Sequence, residues 1–269
     1  MAEGHDSNPM SHILDHPSLE VPGFGWEIHL PNIAGFQVTR FMVMELVAAG
    51  LLCAILIPLA RHVGKNRVTR GPLLNAFEAM VLFIRDQVAR PAIGGHGADA
   101  FLPFLWTLFF FILGCNLLGM IPGFASATGD INVTAVLAVL VFVAVLIAGM
   151  GAMGPVKFWI GLVPHMDVPF VLKIILWPMM FLIEVAGLLI RHVVLAVRLF
   201  ANMMAGHMVL AVILGFIAQA SGMITFLVTP ASIGGVVALS LLELFVAFLQ
   251  AYIFTFLAAL FIGSAAHPH

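Results

Sequence analysis

From residue 39 onward the chain alternates long apolar runs with short polar breaks. An α-helix rises about 1.5 Å per residue, so a hydrocarbon core of about 30 Å takes about 20 apolar residues to cross. The runs 39–61, 101–121 and 132–153 have that length, and Pro122 with Gly123 closes the second. The last two runs, 170–220 and 224–264, are too long for one upright crossing. As a continuous helix the first would reach roughly 70 Å, over twice the core. Each therefore breaks into two spans or crosses at a steep tilt. No proline and no glycine pair interrupts 181–203, which favours two unbroken helices joined by one turn near 221–223. The predicted fold is all-α and integral to a membrane: five crossing helices plus an amphipathic surface helix. The last two crossings are long, strongly tilted and form an antiparallel hairpin.

The surface helix is assigned to 72–90. Leu73, Phe77, Met80, Val81, Ile84 and Val88 recur with helical period, while Asn75, Glu78, Arg85 and Asp86 fall largely off that stripe. Too short and too charged to cross, it lies on the membrane surface or packs on the protein as a loop helix. Residues 1–38 read as an external polar tail, and 39–269 as a single membrane domain. The tail lacks the basic and apolar regions of a cleavable signal, and its His5, His12, His16 and His29 match no metal-ligand spacing. Orientation follows from the basic residues. Arg61, Lys65, Arg67, Arg70, Arg85, Arg90, Lys157 and Lys173 share one side if the first span enters from outside, and only Arg40 sits opposite. The positive-inside bias then places the N-terminus outside and, after five crossings, the C-terminus inside.

Composition agrees with this pattern: 62% of residues are hydrophobic and only 9% charged, against about a quarter charged in soluble domains. The mean hydropathy is +1.12. With a net charge of −2 and no basic domain, nothing points to nucleic acid. Cys53 and Cys115 both fall in apolar runs and read as buried, inert thiols rather than a disulfide or metal site.

Against this apolar background the polar residues of the last two runs stand out: Glu184, Arg191, His192, Arg198, Asn202, His207, Glu243 and Gln250. A charge at mid-bilayer costs roughly 3 kcal/mol even on insertion scales, so such groups face a protein interior or a water path. A single His or Asn is accounted for by a helix–helix hydrogen bond. Arg198 is harder to dismiss, because positions 194, 195, 201 and 202 are Val, Leu, Ala and Asn and supply no acid. Its partner lies beyond its own helical turn. Glu184, Arg191 and Arg198 recur every seven residues and share a face, with Asn202 one turn on. Ser240, Glu243, Ala247 and Gln250 make a second stripe. A hairpin turning near 221–223 brings Arg198 level with Gln250 and His207 level with Glu243. The polar groups then form two strings on either side of one fixed cation, a layout for two half-channels rather than one pore. Arg191 snorkels or reaches Glu184 only through intermediaries, His192 fills a packing or hydrogen-bonding role, and Met203 and Met204 are helix surface.

The run RLFANMMAGH (198–207), the run LQAYIF (249–254) and the segment FILGCNLLGMIPG (111–123) resemble subunit a of F-type ATP synthases, a likeness spanning nearly all the chain beyond its tail. The resemblance implies a proton-translocating stator subunit with no catalytic chemistry, cofactor or metal of its own. It implies that Arg198 faces a carboxylate on the rotating c-ring, that Asn202 matches the family's asparagine and Gln250 its late glutamine, and that Asn116 matches an earlier helix asparagine. His207 and Glu243 match an interacting imidazole and carboxylate, in the order of mitochondrial-type members, and Glu184 falls near the inner half-channel. Implied partners are c-ring subunits, b-type peripheral stalk subunits, other ATP synthase subunits and the lipid bilayer. The implied location is a bacterial inner membrane, ahead of the mitochondrial one. Two other readings compete. A secondary ion-coupled transporter should show internal symmetry, yet the first half has no counterpart of the 184–207 string. A redox or hydrolytic membrane enzyme should carry H-E-x-x-H, G-x-S-x-G or histidines for two haems, and none is present.

Overall fold

The computed structural model describes residues 18–21, 26–29, 32–33, 36–65, 71–121, 126–163, 169–219 and 225–266. Helix dominates. Among the described residues five helices are long and apolar enough to cross a membrane: α1 (Arg40–Lys65), α4 (Gly95–Gly119), α5 (Ile131–Met153), α7 (Phe170–Gln219) and α8 (Thr225–Ala266). The last two run unbroken for 50 and 42 residues, with Pro178 and Pro230 inside them. The long stretches are therefore single helices and not pairs of spans. The α4 helix starts six residues before the expected span, because polar Gly95–Ala100 already has helical geometry.

The amphipathic segment is more elaborate than one helix. It comprises α2 (Pro72–Phe83), a π-helical turn (Ile84–Ala89) and α3 (Arg90–Ile93). In the π turn Arg90 N–H reaches back five residues to the Arg85 carbonyl. Ile84 and Val88 of the predicted stripe are fully buried, while Asn75, Glu78 and Asp86 are exposed. Asp86 pairs with Arg90 at 2.9 Å on the polar face. The α2 helix and α6 (Pro155–Gly161) open in the same way. Gly71 (φ 128°) and Gly154 (φ 86°) take positive φ just before Pro72 and Pro155. That conformation is costly for any other residue, and proline suits the first helical position because its missing N–H would be unpaired anyway.

Short strands mark the N-terminal tail. Within it, β1 (Ser18–Val21) pairs antiparallel with β2 (Trp26–His29), and β3 (Asn32–Ile33) with β4 (Phe36–Gln37). Leu19 and Val21 alternate with Glu20 and register with Ile28 and Trp26, the period-2 pattern of a hairpin. Residues 1–17, with His5, His12 and His16, and the turn near 221–223 lie outside the described residues.

The chain forms two compact units. The first gathers residues up to 58, 111–133 and 199–251; the second gathers 59–110, 134–198 and 252–269. In the first, Ala48, Cys115 and Ala127 make a small buried cluster under Phe111 and Leu118. Leu52 packs over Gly114, where an added Cβ would lie 3.1 Å from its methyl. Ile213 of α7 packs beside Gly235 of α8, and Gly206 beside Glu243, the pairing of antiparallel helices. In the second, His192 of α7 meets Phe261 of α8 in the same sense. There α2 docks on α4: Trp106 Nε1 donates to the Val81 carbonyl at 3.1 Å, and the Phe77 and Phe110 rings sit 5.7 Å apart. Two sequence expectations fail on burial. Cys53 is exposed, because α1 turns much of its apolar surface outward, with only 11% of its spanning window buried by the chain. Met203, expected on the surface, is buried at 7% exposure, since it lies on the face of α7 that carries Leu199 inward.

Among the described glycines of the second unit, the tightest neighbour is at Gly263 of α8, where an added Cβ would overlap the Ala92 carbonyl of α3. Overpacking against backbone costs about 1–3 kcal/mol. Gly263→Ala should therefore lower the thermal midpoint and membrane abundance of the subunit. Gly151→Ala, with nothing within 4 Å, should not, and equal behaviour of the two would refute the tight contact.

Candidate functional site

In the first unit the polar residues of α7 and α8 meet around a cavity of about 210 Å³ lined by Asn202, Gly206, His207 and Glu243, with Met120 at one wall. Gly206 makes this possible. A Cβ at 206 would lie 2.5 Å from Glu243 Oε1, so the carboxylate occupies the space a side chain would fill. His207 is fixed from two directions: Nδ1 lies 2.8 Å from the Met203 carbonyl and Nε2 lies 3.0 Å from the Gly119 carbonyl at the end of α4. Carbonyls only accept, and a neutral imidazole has a single N–H to give. The ring is therefore held between two acceptors beside a carboxylate.

Behind this cavity lies a buried polar chain. Asn116, with no exposed surface, donates from Nδ2 to the Ala247 carbonyl of α8 at 3.4 Å, and its Oδ1 accepts from Thr128 Oγ1 at 2.8 Å. Thr128 in turn shares a 2.8 Å hydrogen bond with Ser126. A short 3₁₀ turn, Ala127–Gly129, carries Thr128 back over the end of α4, and Gly119 leaves room for Ser126 there. Thr128 and Ser126 were not among the residues expected from sequence. Their one visible signal is a pair of hydroxyl residues in the polar break before α5, which ordinary turn composition also explains. Gln250 is buried at 4% exposure on α8, and its Nε2 has no hydrogen-bond partner among the described residues.

In the second unit a larger cavity, of about 300 Å³, is lined by Glu184, Arg191 and His192 of α7 together with Phe261 and Ser264 of α8 and Phe158 of α6. Arg191 Nη2 lies 3.8 Å from Glu184 Oε1. The expectation that these two meet only through intermediaries is therefore corrected. Seven residues are two helical turns, roughly 10 Å of rise, and the arginine and glutamate side chains together cover that span. The pair is long and half-exposed, 50% and 38% at the side chains, so it contributes little stability by itself. His192 is buried at 6% exposure, edge-on to Phe142 of α5.

Arg198 belongs to the second unit and Leu199 begins the α7 portion of the first. Its side chain is exposed, and no hydrogen bond or ion pair holds it among the described residues. Asn202, one turn on, is half-buried. Among the described residues no three His, Cys, Asp or Glu side chains converge as a metal site.

A family model described as ATP synthase A chain matches residues 42–263, which takes in all five crossing helices and leaves the N-terminal hairpins outside. The chain belongs to the ATP synthase A chain family. Among relatives, a protein named ATP synthase subunit a 2 from Chlorobaculum tepidum is 44% identical over 265 residues, covering 95% of this chain and 72% of that one. ATP synthase subunit a of Chloroherpeton thalassium is 41% identical, with 94% and 75% covered. That of Myxococcus xanthus is 40% identical, with 91% and 76% covered. Within this member of the A chain family, the Asn116–Thr128 bond joins the end of α4 to the turn before α5. Thr128→Val keeps the shape and removes the donor, leaving Asn116 Oδ1 buried and unpaired at a cost of about 1–3 kcal/mol. A lower thermal midpoint is expected for the purified complex, and an unchanged one would show that the bond contributes nothing.

Proposed function

We propose that this chain is the proton-translocating stator subunit of the membrane sector of a bacterial ATP synthase, working with the other subunits of that complex and contributing no catalytic chemistry of its own. Family membership supports the subunit assignment, and the charge pattern of α7 and α8 supports its mechanism. The observation that carries the reading is Arg198: a permanently charged side chain, exposed within an apolar helix, with no partner among the described residues. A charge so placed needs a counter-charge from elsewhere, and a c-ring carboxylate would supply one. The two cavities draw their α7 residues from opposite sides of Arg198 in the chain, Glu184, Arg191 and His192 before it and Asn202, Gly206 and His207 after it.

In this scheme protons enter from outside past His207, Glu243 and the Asn116 chain, with Asn202 and Gln250 beside the path, and neutralise a c-ring carboxylate so that it can rotate into lipid. After nearly a full turn the carboxylate loses its proton to the inner half-channel near Glu184. Arg198 favours the ionised carboxylate by proximity and repels protons that would leak straight through. Arginine suits the task because its charge survives burial, whereas a lysine can be deprotonated. The drive is about 2.3 kcal/mol per proton for each 100 mV. Peripheral b-type stalk subunits would hold the chain against the turning ring. The excess of Lys and Arg in 61–90 supports an external N-terminus and an internal C-terminus in the bacterial inner membrane.

ATP-driven proton uptake into inverted membrane vesicles tests this. Arg198→Ala should abolish uptake, a loss of at least about a hundredfold given a charge effect of several kcal/mol, while the complex stays assembled. Normal pumping by that variant would sink the assignment.

A further inference from the structure

His192 is a buried histidine that the proposed mechanism does not use. Its Nδ1 lies 2.8 Å from the Leu188 carbonyl one turn back on α7. A carbonyl oxygen only accepts, so Nδ1 carries the hydrogen and, in the neutral ring, Nε2 is left as a bare acceptor. That Nε2 is buried with no hydrogen-bond partner among the described residues, in a side chain only 6% exposed. The ring is wedged edge-on against Phe142, 5.1 Å away, and beside Phe261 at 5.4 Å, which fixes its plane. It lines the 300 Å³ cavity that also holds Glu184 and Arg191. A single water needs about 15 Å³ by a comparable measure, and polar walls favour its entry. An unpaired acceptor costs about 1–3 kcal/mol if kept dry. Nε2 has almost no accessible surface as it stands, so cavity water would reach it through a small shift of the side chains between them.

We propose that His192 is a proton relay on the inner-side path, taking protons at Nε2 from cavity water and returning them to cavity water at the same nitrogen. The proposal rests on the stator reading above and adds a residue to it. Uptake at Nε2 gives an imidazolium; release from Nε2 restores the neutral ring, and Nδ1–H stays on the Leu188 carbonyl throughout. No ring flip and no other reactant is needed. The charged groups of the cavity are Glu184 and Arg191, both on α7, while α5, α6 and α8 contribute apolar side chains and Ser264. Glu184 and Arg191 already face one another at 3.8 Å. The cation formed at His192 would share the cavity with this pair of opposite charges.

The test is ATP synthesis by the whole complex in vesicles, driven by a potassium diffusion potential with pH equal on both sides. A potential, unlike a pH gradient, survives added weak base. His192→Ala and His192→Gln should lower the rate roughly tenfold or more, the low end of what a proton-transfer group contributes, and should flatten the rate-against-pH profile across the histidine range. Added imidazole should restore synthesis in His192→Ala, which leaves space for it, and should leave His192→Phe unrestored. Wild-type rates and profile in all three would overturn the relay. So would a loss that is uniform with pH and unmoved by imidazole, or failure of all three to assemble, since each outcome makes His192 a packing residue. Arg198→Ala in the same assay separates the levels of argument. If it also synthesises normally, the stator reading falls; if it is inactive while the His192 variants are normal, only the relay falls.

Discussion

Hydrocarbon offers no hydrogen bonds, and that constraint orders everything polar in this chain. A backbone or side-chain polar group inside the bilayer either pairs within the protein or carries a cost of several kcal/mol. Most groups here pair. Thr107 Oγ1 returns to the Pro103 carbonyl of its own helix at 2.8 Å, Asn116 is taken by Thr128 and the Ala247 carbonyl, and both His207 nitrogens meet carbonyls. The groups that do not pair among the described residues include the Arg198 guanidinium, His192 Nε2, Thr229 Oγ1 and Gln250 Nε2 on α7 and α8, and Arg85 Nε in the π turn. A purely structural helix pair would have little reason to keep them.

Holding such groups at the right spacing requires close helix approach, and glycine supplies it. Between membrane helices there is no hydrophobic force to exploit, so packing depends on small residues that let side chains or backbones in. Gly206 admits the Glu243 carboxylate, Gly119 admits Ser126, and Gly263 admits the Ala92 carbonyl. The first two of these fall at the polar site. Packing and chemistry are therefore one arrangement there: enlarging Gly206 would displace a carboxylate, not just a neighbour.

What the sequence disclosed follows the same logic. The five crossings were readable because apolar length maps directly onto bilayer thickness, and the polar residues of α7 and α8 because each one violates that background. The adjacency of His207 and Glu243 was also accessible, since a hairpin of two regular helices has only one free parameter. Features that depend on side-chain reach or on which flank of a helix faces inward were not. Seven residues of separation suggested that Glu184 and Arg191 do not touch, yet the two side chains together span two turns. Cys53 and Cys115 sit in equally apolar runs but have opposite exposure. Thr128 gave no periodic signal, because a 3₁₀ turn and not a helix positions it. The N-terminal hairpins hid within a stretch dominated by polar residues, where four-residue alternation is weak.

The exposure of the helices bears on what completes this molecule. The chain buries half of the spanning windows of α4 and α5 but only 11% of that of α1 and 17% of that of α7. Lipid alone would satisfy the apolar surface left on α1. It would not satisfy α7, because Arg198 sits on that exposed surface, and a charge facing tails carries an insertion cost of roughly 3 kcal/mol or more. A permanently bound acid would remove the cost but also trap the pair, since a buried ion pair resists separation once its partners are desolvated. A carboxylate that arrives charged and leaves neutral meets both demands: it pairs with Arg198 while ionised and is released when protonated. Under the proposed function, the physical need for a counter-charge and the mechanical need for that counter-charge to move would have the same solution, a partner whose acid titrates as it passes.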